Sequence, residues 1–155
     1  MISPELLRRY PFFATLSDAQ LKRVANQCEE VEFAENDNIF TECDPANALY
    51  LLISGGVEFI YKSEEEYHPT TTKEFNVGEV NPGEVFGLSA LLEPYSLNTT
   101  ARCTLNSRLI CVDAAGLRGL FAQDSALGMH IMTQALRSAM ERMAGLRAQL
   151  AAAWS

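Results

Sequence analysis

The sequence predicts a mainly β fold, an antiparallel β roll flanked by helices at both ends of the chain. The hydrophobic period is helical at first, alternates from Glu29 onwards and becomes helical again at Asp113. Between these points, many short β-rich runs are separated by Gly, Pro and Asn turns, which is typical of a closed or two-sheet antiparallel roll. We expect a single domain over residues 1–155, with N-terminal helices over 1–27, the roll over 28–113 and C-terminal helices over 114–155.

The N-terminal segment contains start and stop signals for two short helices. Ser3 and Pro4 form a helix-start pair, and Pro11 ends the first element. Ser17 followed by Gln20 resembles a capping box at the start of the amphipathic run DAQLKRVANQ.

The clearest strand signal is ALYLLISGGVEFIYK, residues 48–62. Its Gly55-Gly56 pair suits the positive φ angles of a tight turn, so we predict a hairpin there. The run from Thr70 to Val77 can pair back across the acidic loop from Ser63 to Pro69. A further pair is predicted between the runs Asn98–Thr104 and Arg108–Val112.

Two helices are predicted to close the chain. Asp113 is a good N-cap for AAGLRGLFAQ, and Asp124 with Ser125 starts the last helix. Apolar residues of this helix follow a 3-4 spacing over about three heptads, which defines what we call the seam. The seam either packs on the roll or pairs with a partner helix, homodimerisation being the simplest outcome, and the direction of pairing is open. Its residues are Met129, Met132, Leu136, Ala139, Met143, Leu146 and Leu150.

Composition and charge exclude several classes of protein. The net charge is −8, and residues 29–93 hold fifteen acidic side chains against two basic ones. Because this acidic segment repels phosphates, we expect no nucleic acid binding by this domain alone. No apolar run approaches the roughly 20 residues of a membrane span, and the N-terminus has no secretory signal pattern. We therefore expect a cytoplasmic protein with mostly buried, reduced cysteines.

No catalytic or metal-binding pattern is present in the sequence. A metal site on a β roll needs several histidines on facing strands, and this chain has only His68 and His130. No nucleophile elbow, P-loop or dinucleotide fingerprint occurs. We expect no enzyme, no metal and no cofactor. The run Glu64-Glu65-Glu66 is a solvated loop tip or a docking site for a basic protein partner.

The stretch GEVFGLSALLEPYSLNTTARC, residues 83–103, has the outline of a phosphate-cradling loop. Glycines precede a short apolar helical turn, and a strand opened by small hydroxyl residues follows. Such a loop should carry an acidic residue for a ribose and a cation for a phosphate. Here these places hold Leu88 and either Leu97 or Asn98.

The chain resembles the cyclic nucleotide-binding domain, the sensor of catabolite activator proteins, cyclic-nucleotide-gated channels and protein kinase A regulatory subunits. The resemblance covers nearly the whole chain and is carried by LYLLISGGVEFIYK, then PGEVFGLSALL, then TARCTLNSRLICVD. It implies a jelly roll (double-stranded β-helix) with N-terminal helices and a long C-terminal helix. It also implies a regulatory role, with a cyclic nucleotide as the small ligand.

The resemblance implies a ligand pocket formed by the loop and the following strand. The family's glutamate contacts the ribose, and its arginine contacts the cyclic phosphate. The glutamate position is Leu88 here, and the arginine position is Leu97 or Asn98, depending on where the gap is placed. Losing two such contacts costs roughly 3–6 kcal/mol, about two to four decades in affinity. The candidate pocket residues are Gly87, Leu88, Ser89, Ala90, Leu97, Asn98, Thr99 and Thr100.

Three further residues bear on the predicted pocket: one arginine on a strand, and an arginine and a methionine on the last helix. Arg102 should face outward, since Ala101 and Cys103 suit the interior of an alternating strand. Arg142 and Met143 fall near the family's base-contacting helix residues and form a candidate lid, the alternative for Arg142 being an ordinary solvated helix residue. The pocket then holds a cyclic nucleotide, another small ligand or nothing. Two functions follow: a sensor with weak, altered or lost ligand binding, or a ligand-free dimerisation and protein-interaction module using the seam and the acidic roll surface.

Overall fold

The computed structural model describes the backbone of residues 2–65 and 68–155, and the side chains of these residues outside 63–72. The predicted loop tip Glu64-Glu65-Glu66 lies outside the described side chains. The described residues form four α-helices: α1 (Pro4–Arg8), α2 (Asp18–Ala25), α3 (Ala114–Gln123) and α4 (Ser125–Ala153). The strands are β1 (Cys28–Phe33), β2 (Asn38–Phe40), β3 (Ala48–Ser54), β4 (Val57–Glu65), β5 (His68–Val80), β6 (Val85–Phe86), β7 (Thr100–Cys103) and β8 (Ser107–Asp113), with a 3-10 helix at Leu88–Leu91.

The strands form two antiparallel four-stranded sheets that face each other, which confirms the predicted jelly roll. One sheet has the order β1-β8-β3-β6 and is called here the helix-side sheet; the other has the order β2-β7-β4-β5 and is called the outer sheet. Apolar side chains from both sheets, among them Leu52, Phe59, Phe86 and Leu109, form one core between them.

A second core lies between the helix-side sheet and the helices. Leu49 and Leu51 of β3 point to it, packed with residues such as Leu21, Leu117 and Leu127. The alternate residue Leu52 points instead into the roll. Because β3 is covered on both faces, its sequence is almost continuously apolar rather than alternating.

The prediction of a hairpin at Gly55-Gly56 is wrong. β3 pairs with β6 and β8, whereas β4 pairs with β5 and β7, so the two strands belong to different sheets. Gly55 has φ +106°, and a Cβ there would lie 2.3 Å from the Ser107 Oγ. The glycines thus let the chain cross between sheets close to Ser107, rather than reverse within one sheet.

The predicted pair between Asn98–Thr104 and Arg108–Val112 is also wrong. β7 pairs with β2 and β4, and β8 pairs with β1 and β3, so the chain crosses between the sheets here too. The two crossings contact each other: the Thr104 N–H donates to the Gly56 carbonyl at 2.9 Å. By contrast, the pairing of Thr70–Val77 with the preceding strand is confirmed, with Tyr61 opposite Phe75.

The predicted helix starts are confirmed. Ser17 and Gln20 form a reciprocal capping box at α2. Asp113 caps α3 and Asp124 caps α4, each accepting a backbone N–H with its carboxylate. Within the described part of the chain, no helix is long and apolar enough to span a bilayer.

Candidate functional site

A cavity of about 460 Å³ opens between the loop that follows the 3-10 helix, the inner face of the outer sheet and α4. Six of the predicted pocket residues line it: Gly87, Leu88, Ser89, Leu97, Asn98 and Thr99. The candidate lid residues Arg142 and Met143 line its α4 wall together with Ala139 and Leu146. Sequence reasoning did not name the remaining lining residues, which are Phe40, Phe59, Val77, Leu92, Glu93, Pro94 and Ser96.

Gly87 places the 3-10 helix against the roll. Its φ is +78°, a left-handed conformation that favours glycine, and a Cβ there would approach the Ala48 carbonyl oxygen to 3.2 Å. The Ala90 N–H donates back to the Gly87 carbonyl at 3.1 Å. The turn is therefore tight, and one of its backbone donors is already used within it.

The loop wall of the cavity is held from two sides. Leu97 exchanges backbone hydrogen bonds with the segment 43–44, its carbonyl accepting from the Cys43 N–H at 2.8 Å and its N–H donating to the Asp44 carbonyl at 2.9 Å. From α3, Arg118 donates to the Ala90 carbonyl at 2.6 Å, and its guanidinium lies 4.0 Å from the Tyr95 ring centroid. Arg118 thus joins the cavity wall to α3.

The residues predicted at the positions of the charged anchors are apolar or neutral. Leu88, which the sequence predicts at the place of the family's glutamate, lines the cavity, and so do Leu97 and Asn98, the two candidates predicted for the arginine. Leu97 is only 6% exposed, whereas Asn98 is exposed at the rim. Glu93 is the one acidic lining residue among those described, and it too is exposed.

Ala90 and Thr100 do not line the cavity, contrary to the prediction. Ala90 is fully buried and packs in the core between the sheets. Thr100 is 1% exposed, and its Oγ1 accepts a hydrogen bond from the Glu42 N–H at 3.0 Å. Its hydroxyl therefore joins β7 to the segment that follows β2, and it is too deeply buried to reach a ligand.

Arg142 on α4 is the one basic side chain that lines the cavity among the described residues. Its Nη2 donates to the Val85 carbonyl at 2.9 Å, and its Cζ lies 4.8 Å from the centroid of the Phe59 ring. Burial lowers the pKa of this guanidinium, while the carboxylate of Glu84 acts in the opposite direction. An arginine keeps its charge at neutral pH despite such a shift. The cavity thus has a cation, on the wall opposite the loop.

Aromatic side chains form the floor of the cavity. Phe40 and Phe59 line it, and each packs on the buried Phe86, with ring centroids 6.0 Å and 6.1 Å apart. All three residues belong to the core between the sheets. The floor is therefore apolar and continuous with the core between the sheets. Inward-facing strand positions such as Phe59 were the available sequence signal for it.

Arg102 points away from the cavity, as the strand alternation predicted. Its Nε donates to the Asn38 Oδ1 at 3.2 Å, and its Nη1 lies 3.3 Å from the Glu74 Oε2. The hydrogen bond and the charge of Arg102 together lower the pKa of the Glu74 carboxyl group. Arg102 is thus engaged on the outer face of the outer sheet.

The seam is largely exposed along α4. Its buried neighbours Leu127, Ile131 and Ala135 contact the core, whereas the seam lies on an adjacent face of the helix. Met132 packs partly against the core. Met140 extends the exposed apolar surface, with 56% of its area accessible. The exposed seam residues are Met129, Leu136, Ala139, Met143, Leu146 and Leu150.

A family model for the cyclic nucleotide-binding domain matches residues 30–124. The chain belongs to this family. A Geobacter metallireducens protein whose name assigns it to cyclic nucleotide binding has a crystal structure with a TM-score of 0.79 and 38% sequence identity, covering 92% of this chain and 99% of that one. The N-terminal domain of a transcriptional regulator from Streptomyces coelicolor has a TM-score of 0.67 and 25% identity, covering 88% of this chain and 93% of that one.

Two curated relatives, a transcriptional regulator and a protein named as a channel, are longer than this chain. A cAMP-activated global transcriptional regulator from Mycobacterium tuberculosis is 21% identical over 145 residues, which are 92% of this chain and 62% of that protein. A Rhodopseudomonas palustris protein named as a potassium channel is 22% identical over 131 residues, 84% of this chain and 30% of that protein. The chain therefore spans less than two thirds of the length of either of these relatives.

Proposed function

We propose that this chain is a non-enzymatic regulatory domain whose cavity no longer forms a tight cyclic nucleotide site, and which acts as a dimer through α4. One observation carries the proposal. Among the described residues, the cavity has no acidic anchor inside it and no cation on its loop, because Leu88, Leu97 and Asn98 stand at the positions predicted for these anchors.

The loop wall offers a nucleotide few contacts of the required strength. Leu88 and Leu97 present only methyl and methylene groups, which leave a ribose hydroxyl or a phosphate oxygen without a partner once water is removed. Glu93 at the rim adds a negative charge on the same side of the cavity. A cyclic phosphate placed against this loop is therefore disfavoured by both desolvation and charge.

The seam supports a second copy of this chain as the partner. A 3-4 apolar spacing is the pattern by which one helix packs against another, and it is self-complementary when both helices carry it. Met129, Leu136, Met143 and Leu150 leave more than half of their surface exposed in the single chain. Ala139, Met143 and Leu146 belong to the seam and also line the cavity. A ligand in the cavity would therefore contact the same side chains that form the dimer contact and could shift its equilibrium.

Restoring the missing anchors tests the proposal. Two double variants, Leu88→Glu with Leu97→Arg and Leu88→Glu with Asn98→Arg, cover both placements of the arginine. We expect at least one of them to bind cAMP or cGMP about two to four decades more tightly than the natural chain, measured by titration calorimetry.

The matched controls are Leu88→Gln with Leu97→Gln and Leu88→Gln with Asn98→Gln, which change the same positions without adding charge. They should bind no better than the natural chain. If the natural chain already binds as tightly as the charged variants, the proposal is wrong.

A further inference from the structure

We propose that the cavity binds an amphipathic monocarboxylate, with its acid group at Arg142 of α4 and its hydrocarbon body against the apolar loop wall and aromatic floor. The inference rests on the proposed function, namely that this cavity no longer takes cyclic nucleotides tightly, and it names the class of ligand that replaces them.

Arg142 is available to an anion. A guanidinium has five N–H donors, and a backbone carbonyl, that of Val85, accepts from one of its nitrogens. No ion pair joins Arg142 to a carboxylate among the described residues. None of the described buried side-chain nitrogens lacks a partner, so its other donors reach the cavity or solvent. The contacts with Val85 and Phe59 fix the direction of the side chain without neutralising its charge. The Glu84 carboxylate acts on that charge but forms no ion pair with it and does not line the cavity.

The charges of the cavity favour a single negative charge at one end. Arg142 is half-buried on the α4 wall, whereas Glu93 is exposed at the loop rim. An anion is therefore attracted to the helix wall and repelled from the loop. One cation matches one carboxylate, and planar carboxylates pair well with a guanidinium.

The remaining surface favours a hydrocarbon body. Leu88 and Leu97 on the loop wall, Phe40 on the floor and Leu146 on the α4 wall all present apolar groups to the cavity. Its volume of about 460 Å³ lies in the range of roughly 300–1,000 Å³ that is usual for small-molecule sites. Such a wall stabilises a ligand by removing apolar surface from water. A nucleotide's polar sugar gains nothing from it.

In the alternative interpretation, Arg142 binds no ligand and only closes the cavity, held by its hydrogen bond to the Val85 carbonyl and its contact with the Phe59 ring. The two accounts predict different responses to the charge of a ligand. A closing side chain would exclude octanoate and 1-octanol alike. An anchoring side chain would favour octanoate over the neutral alcohol of the same chain length.

The test is a calorimetric titration of the full chain with octanoate and with 1-octanol, in the natural protein and in Arg142→Gln. We expect octanoate to bind the natural protein roughly ten- to a hundredfold more tightly than octanol, and this preference to be lost in Arg142→Gln. Arg142→Lys should keep part of the preference, since it keeps the charge but loses the planar fork. Arg147→Gln, a change at an exposed arginine of the same helix, should keep all of it.

Equal binding of both compounds, or a preference that survives in Arg142→Gln, would overturn the inference and indicate adsorption to the exposed seam. Absence of octanoate binding to a natural protein that also ignores cAMP would overturn the inference alone and leave the proposed function intact. Tight cAMP binding by the natural protein would instead contradict the proposed function. Thermal melting of each variant, followed by circular dichroism, distinguishes a loss of the ligand preference from a loss of folding.

Discussion

At the scale of single residues, Thr100 shows how a polar side chain inside the roll acts on stability. Its Oγ1 accepts from the Glu42 N–H at 3.0 Å, and the side chain is 1% exposed. We expect Thr100→Val to lower the free energy of unfolding by about 1–3 kcal/mol, because the amide loses its acceptor while the shape is kept. Urea denaturation measures the change.

Thr100→Ser is the matched control for this prediction, since it keeps the hydroxyl and removes one methyl group. It should cost less than Thr100→Val. If the two variants lose stability in the reverse order, the methyl group and not the hydrogen bond is the stabilising feature.

For Arg142, the family resemblance alone predicts a lid over the pocket, with a solvated helix residue as the alternative. The loop residues Gly87, Leu88 and Ser89 could be placed at a cavity because their motif is contiguous. Arg142 lies more than fifty residues further along the chain, and its sequence neighbours are those of an ordinary amphipathic helix. Only the packing of α4 across the outer sheet, with Arg142 over Phe59, shows that it completes the cavity.

At the scale of elements, Asp124 joins the start of α4 to α2. Its carboxylate accepts from the Leu127 N–H at 3.1 Å, from Gln20 Nε2 at 3.2 Å and from Arg23 Nη2 at 3.2 Å. These contacts, the Leu127 N–H first, hold the pKa of Asp124 below its ordinary value. A carboxyl group whose pKa is lowered by folding stabilises the fold above its unfolded-state pKa of about 4, and this stabilisation is lost as the pH falls through the folded-state pKa.

We therefore expect the natural protein to lose stability between about pH 5 and about pH 3, and Asp124→Asn to lose less over the same interval. Asparagine can still cap the helix but does not titrate. Urea midpoints at the two pH values measure both slopes. Glu74 titrates alike in both proteins, so the difference isolates Asp124. Equal slopes would contradict the assignment.

The sequence predicts where the helices start better than it predicts which strands pair. Helix starts at Ser17, Asp113 and Asp124 were predicted correctly because a cap is a local interaction within three or four residues. Strand pairing at Gly55-Gly56 was predicted wrongly because a glycine pair suits both a tight turn and a crossing between sheets. The distinction depends on Ser107, a residue distant in sequence.

At the scale of the whole molecule, the exposed seam predicts the oligomeric state. We expect the natural chain to be a dimer and Leu136→Glu to be a monomer at the same concentration, because the substitution places an unpaired carboxylate in the helix contact. Analytical ultracentrifugation measures both masses. Leu136 is 62% exposed in the single chain, so the variant should keep its fold.

Ala148→Glu is the control for the dimer prediction. Ala148 is exposed on α4 but lies on a face away from the seam, so this variant should remain a dimer. A natural chain that sediments as a monomer at high concentration would contradict the role of the seam. Dissociation of both variants would show that added negative charge, and not the seam, determines the mass.

Titration calorimetry of the natural chain with cAMP and cGMP shows whether the cavity is still a tight cyclic nucleotide site. With Leu88 and either Leu97 or Asn98 at the anchor positions, we expect no saturation at micromolar ligand and at most a weak response at millimolar concentration. Heat that saturates at micromolar cAMP or cGMP would contradict the proposed loss of tight binding, because it would show that neutral donors and Arg142 suffice.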